Sequence, residues 1–392
     1  MIKPISFCIN TAINELDYIK LLFKSLQDNL STKEHEIIVF IDSDNQGTLE
    51  WLTEQKTIFP NLKILKNPLP ICYGYARNIN EMFKFASNDI VSYLQSDMVI
   101  SKNYDVYISK HIKDNMILSS TRIEPPLHGL GLEKHTEDFG LSPKDFKYEI
   151  FLDWCEHNRE EKQTEYFFAP FTMYKKVWNG IGGHDTYFRR SREDSDVLNR
   201  LILNGNKIVQ TWDALVYHFT SRGSRFNKHA GGAAGKNSDE WLQTTTKNGR
   251  EFIRKWGHFV LHTPTMKPII PPKYNIGLII KNCNDSLLHA LEPWGDTLYI
   301  DEGNIPSMID NYITLESPNT GYDLYSRLRP YDNEKNCEIL VEIDGQHFTQ
   351  NDFNNIQRLT QIIQNSGQIG EFKLGNIKVS IIQMNEYQNE LI

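Results

Sequence analysis

At 392 residues, with 40% hydrophobic and 23% charged residues, the chain has the composition of a soluble globular protein and enough length for two domains. No apolar run reaches bilayer-spanning length and the opening MIKPISFCIN lacks a signal-peptide core, which excludes an obvious membrane or secretory segment. The formal net charge of -8 is uneven: Lys273 to Ile392 holds 8 Lys/Arg against 17 Asp/Glu, which argues against a broad nucleic-acid-binding surface there.

Along the first 120 residues, short apolar runs alternate with helix-like patterns. ISFCIN reads as a strand, NELDYIKLLFKSLQDNL as an amphipathic helix and EIIVFID as a buried strand. A helix around GTLEWLTEQ, the strand LKILK, the helix GYARNINEMFKFAS and the strand DIVSYLQSD follow. Such alternation implies right-handed βαβ units and a mixed, mainly parallel sheet flanked by helices. Sheets of this kind bind ligands at the carboxyl ends of their strands.

From about Arg122 to Glu165 the pattern loosens, and EPPLHGLGLEKHTEDFGLSP reads as a loop or lid, followed by a helix over KDFKYEIFLDWCEHNREE. EYFFAPFTMYKKVW, REDSDVLNRLILNG and KIVQTWDALVYHF read as strand, helix and strand. SRGSRFNKHAGGAAGKNSDEW, rich in Gly, Ser and basic residues, reads as a loop ahead of the helix DEWLQTTTKNGREFIRKWG. The four prolines of HTPTMKPIIPPKY mark a linker. The expected division is a first domain at 1–265, a linker at 266–273 and a small acidic α+β domain at 274–392. No internal repeat is legible. The five cysteines are scattered without a CxxC, a pattern that suits reduced thiols in the cytoplasm.

The strand ends carry the chemistry. Asn10-Thr11 close the first strand and Asn14-Glu15 open the next helix, as a phosphate-receiving turn or an ordinary N-cap. Asp42 and Asp44 close the second strand. Gly74, Ala76, Arg77 and Asn78 open the third helix, where Arg77 suits a phosphate or a structural ion pair. The fourth strand ends on Gln95-Ser96-Asp97, with Asp97 either a solvated cap or a ligand for a hard divalent cation. His218, at the end of ALVYHF, is a second candidate ligand or a hydrogen-bonded surface histidine. Gly182-Gly183 permit a sharp turn before Glu193-Asp194, which open a helix with Asp196 close behind. Glu193 and Asp194 point in different directions from that helix, so one can hold an acceptor while the other takes its proton. The alternative is an acidic first turn that complements the helix dipole.

In this order, TAINE, IDSD, GYARN, QSD, GIGGHD, EDSDVLNRL and the downstream His resemble the family 2 glycosyltransferases, nucleotide-sugar enzymes of the GT-A fold, over about residues 4–225. The resemblance implies that Asp42 sits by the nucleotide base, with Thr11 and Glu15 lining the same pocket. It places Asn14, Asp44, Arg77, Gln95 and Ser96 in the nucleotide-sugar site, and Arg222 and Arg225 on a loop that closes over the diphosphate. Asp97 would hold the metal, Mn²⁺ or Mg²⁺, with His218 as an additional ligand. Asp194 would be the general base of an inverting transfer, and Glu193 would help bind the acceptor. Two residues depart from the family pattern: Gln95 replaces the first Asp of the DxD, and Thr11 replaces a Pro.

The implied partners are a nucleoside-diphosphate sugar, a UDP-sugar first, and an unidentified acceptor hydroxyl on a glycan, lipid-linked sugar or protein glycan. The 124–165 insertion and the C-terminal domain are expected to face the acceptor or serve assembly. The implied location is cytoplasmic, soluble or peripherally membrane-associated. A nucleotidyltransferase is disfavoured because NTAINELD offers no Gly, Lys or Arg for a triphosphate. An inactive sugar-nucleotide-binding module is argued against by the Glu193-Asp194 pair. A modified nucleic-acid base as acceptor is supported only by the basic loop of Arg222, Arg225, Lys228 and His229.

Overall fold

ISFCINT forms β1 (Ile5–Thr11), buried at every residue in the computed structural model of the chain. A strand buried this way needs a neighbour on each edge and apolar cover on both faces. The chain supplies them as α1 (Leu16–Asn29), β2 (Glu36–Ile41), α2 (Thr48–Gln55), β3 (Leu62–Lys66), α3 (Tyr75–Phe85), β4 (Ile90–Gln95) and β5 (Met98–Ile100). Next come α4 (Tyr104–His111), β6 (Met116–Glu124), β7 (Lys134–Thr136), α5 (Tyr148–Asn158), β8 (Gln163–Thr164), β9 (Phe171–Tyr174) and α6 (Lys175–Asn179). Then follow α7 (Glu193–Leu203), β10 (Lys207–His218) and α8 (Asp239–Trp256). The strand expected over EYFFAPFTMYKKVW is thus shorter, and its KKVW end turns into α6. The structure describes residues 2–127, 129–166, 168–189, 191–220, 232–233, 236–301 and 306–392. Arg222, Arg225, Lys228 and His229 lie outside them.

Among the described residues the strands run β3-β2-β1-β4-β9-β6-β10-β5, with β7 beside β6 and β8 beside β10. β1 to β4 are mutually parallel, and β9 is antiparallel to both β4 and β6. β10 is parallel to β6 and carries a register shift between Thr211 and Leu215. The alternation of side chains explains the two-sided cover. Phe7, Ile9, Val39 and Leu94 pack on Leu22 and Phe23 of α1. Cys8, Phe40 and Tyr93 point the other way, into the cluster of Met82 and Phe83 of α3 and Val197 of α7. Each fully buried residue of this size contributes about 1.5–3 kcal/mol, so the face each strand turns to each helix layer is firmly set, and the pairing sets strand direction. The carboxyl ends of β1, β2, β4, β6 and β10 therefore lie along one edge.

The chain divides into two units, Met1–Thr244 with His262–Pro268, and Thr245–Leu261 with Ile269–Ile392. The chain crosses between the units once inside α8 and twice at the proline-rich segment, at 261/262 and 268/269. The second unit adds β11 (Ile276–Lys281), α9 (Asp285–Leu291), β12 (Thr297–Ile300), α10 (Pro306–Glu316), α11 (Leu324–Arg327) and β13 (Leu328–Pro330). It continues with β14 (Ile339–Asp344), α12 (Gln350–Gln357), α13 (Leu359–Ser366), β15 (Gly370–Leu374) and β16 (Ile377–Ile381). Its strands run β13-β12-β11-β14-β16-β15, all in one direction except β16, which is antiparallel to both β14 and β15, so its sheet too is mainly parallel.

Candidate active site at the carboxyl edge of the first sheet

The loops after β1 and β2 are fastened to each other. Asn14 takes a left-handed φ of 64°. Its backbone N–H donates to Asn45 Oδ1 at 3.0 Å, and Asn45 Nδ2 donates back to Asn14 Oδ1 at 3.0 Å. The Leu16 N–H, first in α1, donates to Gln46 Oε1 at 3.1 Å. Two of the N–H groups at this helix start, those of Asn14 and Leu16, are thus partnered by side chains of the neighbouring loop.

Thr11 ends β1, and its carbonyl accepts from the Asp42 N–H at 2.9 Å. The Asp42 carboxylate is itself engaged: Oδ1 accepts from Tyr73 N–H at 2.7 Å and Asn67 Nδ2 at 2.9 Å, and Oδ2 from Gly74 N–H at 2.9 Å. Asp42 therefore fixes the approach to α3, with lone pairs left for one further donor. Asp44 caps α2, accepting from the N–H groups of Gln46, Thr48 and Leu49. Burial alone would raise its pKa, but those bonds hold it at about 2. Arg77 is exposed and stacks over the Tyr73 ring with its guanidinium carbon 3.6 Å from the centroid. That is a cation–π contact rather than an acidic pair.

At the tip of β4, Gln95 is half-buried and pairs in register with Asn10 of β1. Ser96 Oγ donates to Glu15 Oε2 at 2.7 Å, and the Ala12 N–H donates to the same oxygen at 2.9 Å. Burial pushes Glu15 up, the Ser96 bond pulls it down and the Asp97 charge pushes it up again, leaving it at about 7. Tyr93 lies beneath, donating to Asn10 Oδ1 at 2.6 Å. Burial raises its pKa, and Tyr75, Glu193, Asp97 and Glu15 raise it further.

The Asp97 carbonyl accepts from Phe219 N–H at 3.0 Å, which sets the β4 tip against the end of β10. His218 Nε2 stands 3.6 Å from Asp97 Oδ1, too far for a hydrogen bond. Its Nδ1 is 2.9 Å from Glu124 Oε1, at the tip of β6. An ionised carboxylate only accepts, so Nδ1 carries the hydrogen towards Glu124, and Nε2 is the ring nitrogen that faces Asp97. Glu124 also meets Arg122 Nη1 and Lys134 Nζ, each at 2.8 Å. Burial opposes its ionisation, but Arg122, His218 and Lys134 hold it well below the usual carboxylate range.

The helix behind the site is aimed by glycines. Gly182 and Gly183 take φ of 70° and 79°, and the His184 N–H and carbonyl bond the Asn80 side-chain amide of α3 at 2.8 and 2.9 Å. Asp196, the third acid of this helix start, is fully buried and pairs with Arg200, whose Nη1 donates to the Ile181 carbonyl at 2.8 Å. It is a brace for the Gly-Gly turn. Glu193 Oε2 is buried without a hydrogen-bond partner among the described residues. Burial and the Asp194 charge raise Glu193 to about 8. Burial also raises Asp194, although Ser195 N–H donates to its Oδ1 at 2.7 Å and the Arg192 and Arg122 charges pull it down.

The sequence reading missed Glu124. The signal was present, because MILSSTRIE ends on a carboxylate as DIVSYLQSD does. Among the described residues no group of three or more His, Cys, Asp or Glu is gathered to hold a metal. Asp97 and His218 offer a hard oxygen and an imidazole nitrogen braced by a carboxylate, a donor pair that fits Mn²⁺ or Mg²⁺ completed by other oxygens. No helix among the described residues is long and apolar enough to cross a membrane.

A family model described as Glycosyl transferase family 2 matches residues 8–194. No curated protein matches the chain. Among solved structures, TarS from S. aureus aligns at 20% identity and TM-score 0.41, over 56% of this chain and 37% of that one. A TarS 1-349 structure in complex with UDP-GlcNAc aligns at 20% identity and TM-score 0.40, over 56% and 61%. The mannosyltransferase PcManGT from Pyrobaculum calidifontis, in complex with GDP-Man and Mn²⁺, aligns at 14% identity and TM-score 0.40, over 56% and 59%. The chain thus spans less than two thirds of each of these solved chains.

Proposed function

The first unit carries a family 2 glycosyltransferase domain of GT-A type, and from that premise we propose that the chain moves a sugar from a nucleoside-diphosphate sugar to an acceptor hydroxyl with inversion. The observation that supports this best is the grouping at the tips of β1, β4 and β10: Ser96, beside Asp97, donates to Glu15 Oε2 at 2.7 Å, and His218 Nε2 stands 3.6 Å from Asp97 Oδ1. Donor and acceptor chemistry need those groups on one edge.

In this reading Asp97 and His218 hold Mn²⁺ or Mg²⁺, which when bound supplies positive charge to the leaving diphosphate. Asp42 offers an acceptor to a base N–H, which suits uracil, and UDP-sugars are the first donors to test. Adjacent buried carboxyls resist carrying two charges, so the pair keeps one proton at neutral pH. With Glu193 raised to about 8, Glu193 holds that proton and donates a hydrogen bond to the acceptor. Asp194 stays ionised and takes the acceptor proton, a role worth roughly 10²–10⁴-fold in rate. Attack opposite the leaving group in one displacement inverts the anomeric centre.

A panel of sugar nucleotides, read by thermal stabilisation and Mn²⁺-dependent hydrolysis, identifies the donor. Asp194→Asn should keep the donor-induced stabilisation and lose turnover by roughly 10²–10⁴-fold. Unchanged turnover in that variant contradicts the assignment of the base.

A further inference from the structure

The two sheets follow one plan that the sequence does not display. In the first unit β3-β2-β1-β4-β9-β6 has β9 alone running against its neighbours. In the second, β13-β12-β11-β14-β16-β15 repeats the order, and β16 alone runs against its neighbours. Chain order repeats too, with β11, β12, β13, β14, β15 and β16 in the places of β1, β2, β3, β4, β6 and β9.

Register extends the match to single residues. Asn10 pairs with Phe40 on one side and Gln95 on the other. Ile279 pairs with Tyr299 and Glu342. Two residues beyond these partners stand Asp42 and Asp97 in the first unit, Asp301 and Asp344 in the second. The first of each pair is tied alike: Asp42 N–H donates to the Thr11 carbonyl at 2.9 Å, and Asp301 N–H to the Ile280 carbonyl at 3.1 Å. Asp105 and Asp352 lie equally far beyond Asp97 and Asp344, each fully buried in the first turn of a helix. Order, direction, register and strand-tip carboxylates agreeing together is a far narrower coincidence than a shared sheet type.

We propose that the C-terminal unit is a reduced second copy of the donor-binding half and binds a nucleoside diphosphate with its divalent cation, without transferring a sugar. This rests on the reading of the first unit given above. The binding place is the tip of β11, which has β12 on one side and β14 on the other, the switch point where open α/β sheets take ligands. Asp301 is exposed there, and the Asp344 side chain is 39% exposed. Asn282 Nδ2 donates to Asp344 Oδ1 at 2.8 Å, and His347 Nδ1 lies 2.9 Å from Oδ2. Lys281 at the same tip offers a cation to a phosphate. No helix stands between β13 and β14, so nothing repeats the α3 loop that covers Asp42. Among the described residues the second sheet ends at β15, with no counterpart of β10 and His218 or of α7 and its Glu193-Asp194 pair. Such a copy has carboxylates for a cation and a base N–H, and no general base.

Hydrogen exchange on the full chain with UDP, GDP, CDP or ADP, each with Mn²⁺, separates the two readings. At least one nucleotide should slow exchange at residues 282–288 and 344–349, and Asp301→Ala or Asp344→Ala should abolish that protection while leaving protection around 12–16 and 96–98 intact. Protection confined to the first unit with all four nucleotides overturns this proposal. Protection confined to the second unit supports it and overturns the donor site proposed above. Protection in neither unit overturns both.

Discussion

Glu193 is held in a state that costs stability. Its carboxyl is raised from an ordinary 4.5 to about 8. Between those values the folded protein keeps a proton that the unfolded chain has released. The contribution is complete below pH 4.5 and is lost as pH rises through 8, at up to about 1.4 kcal/mol per pH unit. Glu193→Gln should therefore melt above wild type at pH 8, with little difference at pH 4.5, while acceptor turnover falls. Calorimetry at the two pH values checks it, and equal shifts at both would show that the carboxyl is not raised. Glu124→Gln makes a different prediction. Its oxygen can still meet His218, but the charge that braces the imidazole is gone, so Mn²⁺ affinity in a direct titration should fall roughly 10–100-fold. Asp97, His218, Glu193 and Asp194 stand at strand tips and a helix start, which local sequence marks, while the roles expected of them come from the family resemblance. Asp42 is different: its partners Tyr73 and Gly74 come from a loop that only folding brings to it.

At the scale of elements, the Gly-Gly turn decides where α7 points. Both glycines take positive φ, but only Gly183 is crowded: a Cβ there would meet Asn80 Oδ1 at 2.5 Å and Trp178 Nε1 at 2.9 Å, whereas one on Gly182 meets nothing within 4 Å. Gly182→Ala should cost about 1 kcal/mol, the backbone penalty alone. Gly183→Ala should cost about 2–4 kcal/mol and lower kcat more than donor affinity, because it displaces the His184–Asn80 bonds that seat α7. Melting and steady-state kinetics on both variants distinguish the two effects. The elements themselves were largely legible, because alternating apolar strands and amphipathic helices leave period-two and period-3.6 patterns. β9 was overextended since FTMYKKVW keeps apolar residues through the turn into α6, where helical spacing takes over.

At the scale of the molecule, the second unit has its own acid-sensitive centre. Glu292 is fully buried among Arg254, Arg327 and Arg250. Burial alone would raise it, but those guanidiniums hold it at about 2 against an ordinary 4.5. Its contribution is present above pH 4.5 and is lost as pH falls towards 2. Acidification should lower the melting of the second unit, and Glu292→Gln should cost that unit about 3–5 kcal/mol at pH 7 by leaving the arginines underpaired. Calorimetry that shows one melting step moving and the other still confirms it. The shared plan of the two sheets was not legible, because what repeats is strand order, direction and register. Between IDSD and IDEG, or QSD and EID, too few side chains recur to mark a repeat.

Titrating Mn²⁺ against sugar-nucleotide hydrolysis in wild type and Asp97→Asn tests the central claim most directly. If Asp97 and His218 hold the metal beside the Glu193-Asp194 pair, wild type should saturate with Mn²⁺. The variant should lose its Mn²⁺ response and at least about 100-fold in turnover. An Asp97→Asn protein with full, Mn²⁺-dependent turnover would contradict the account.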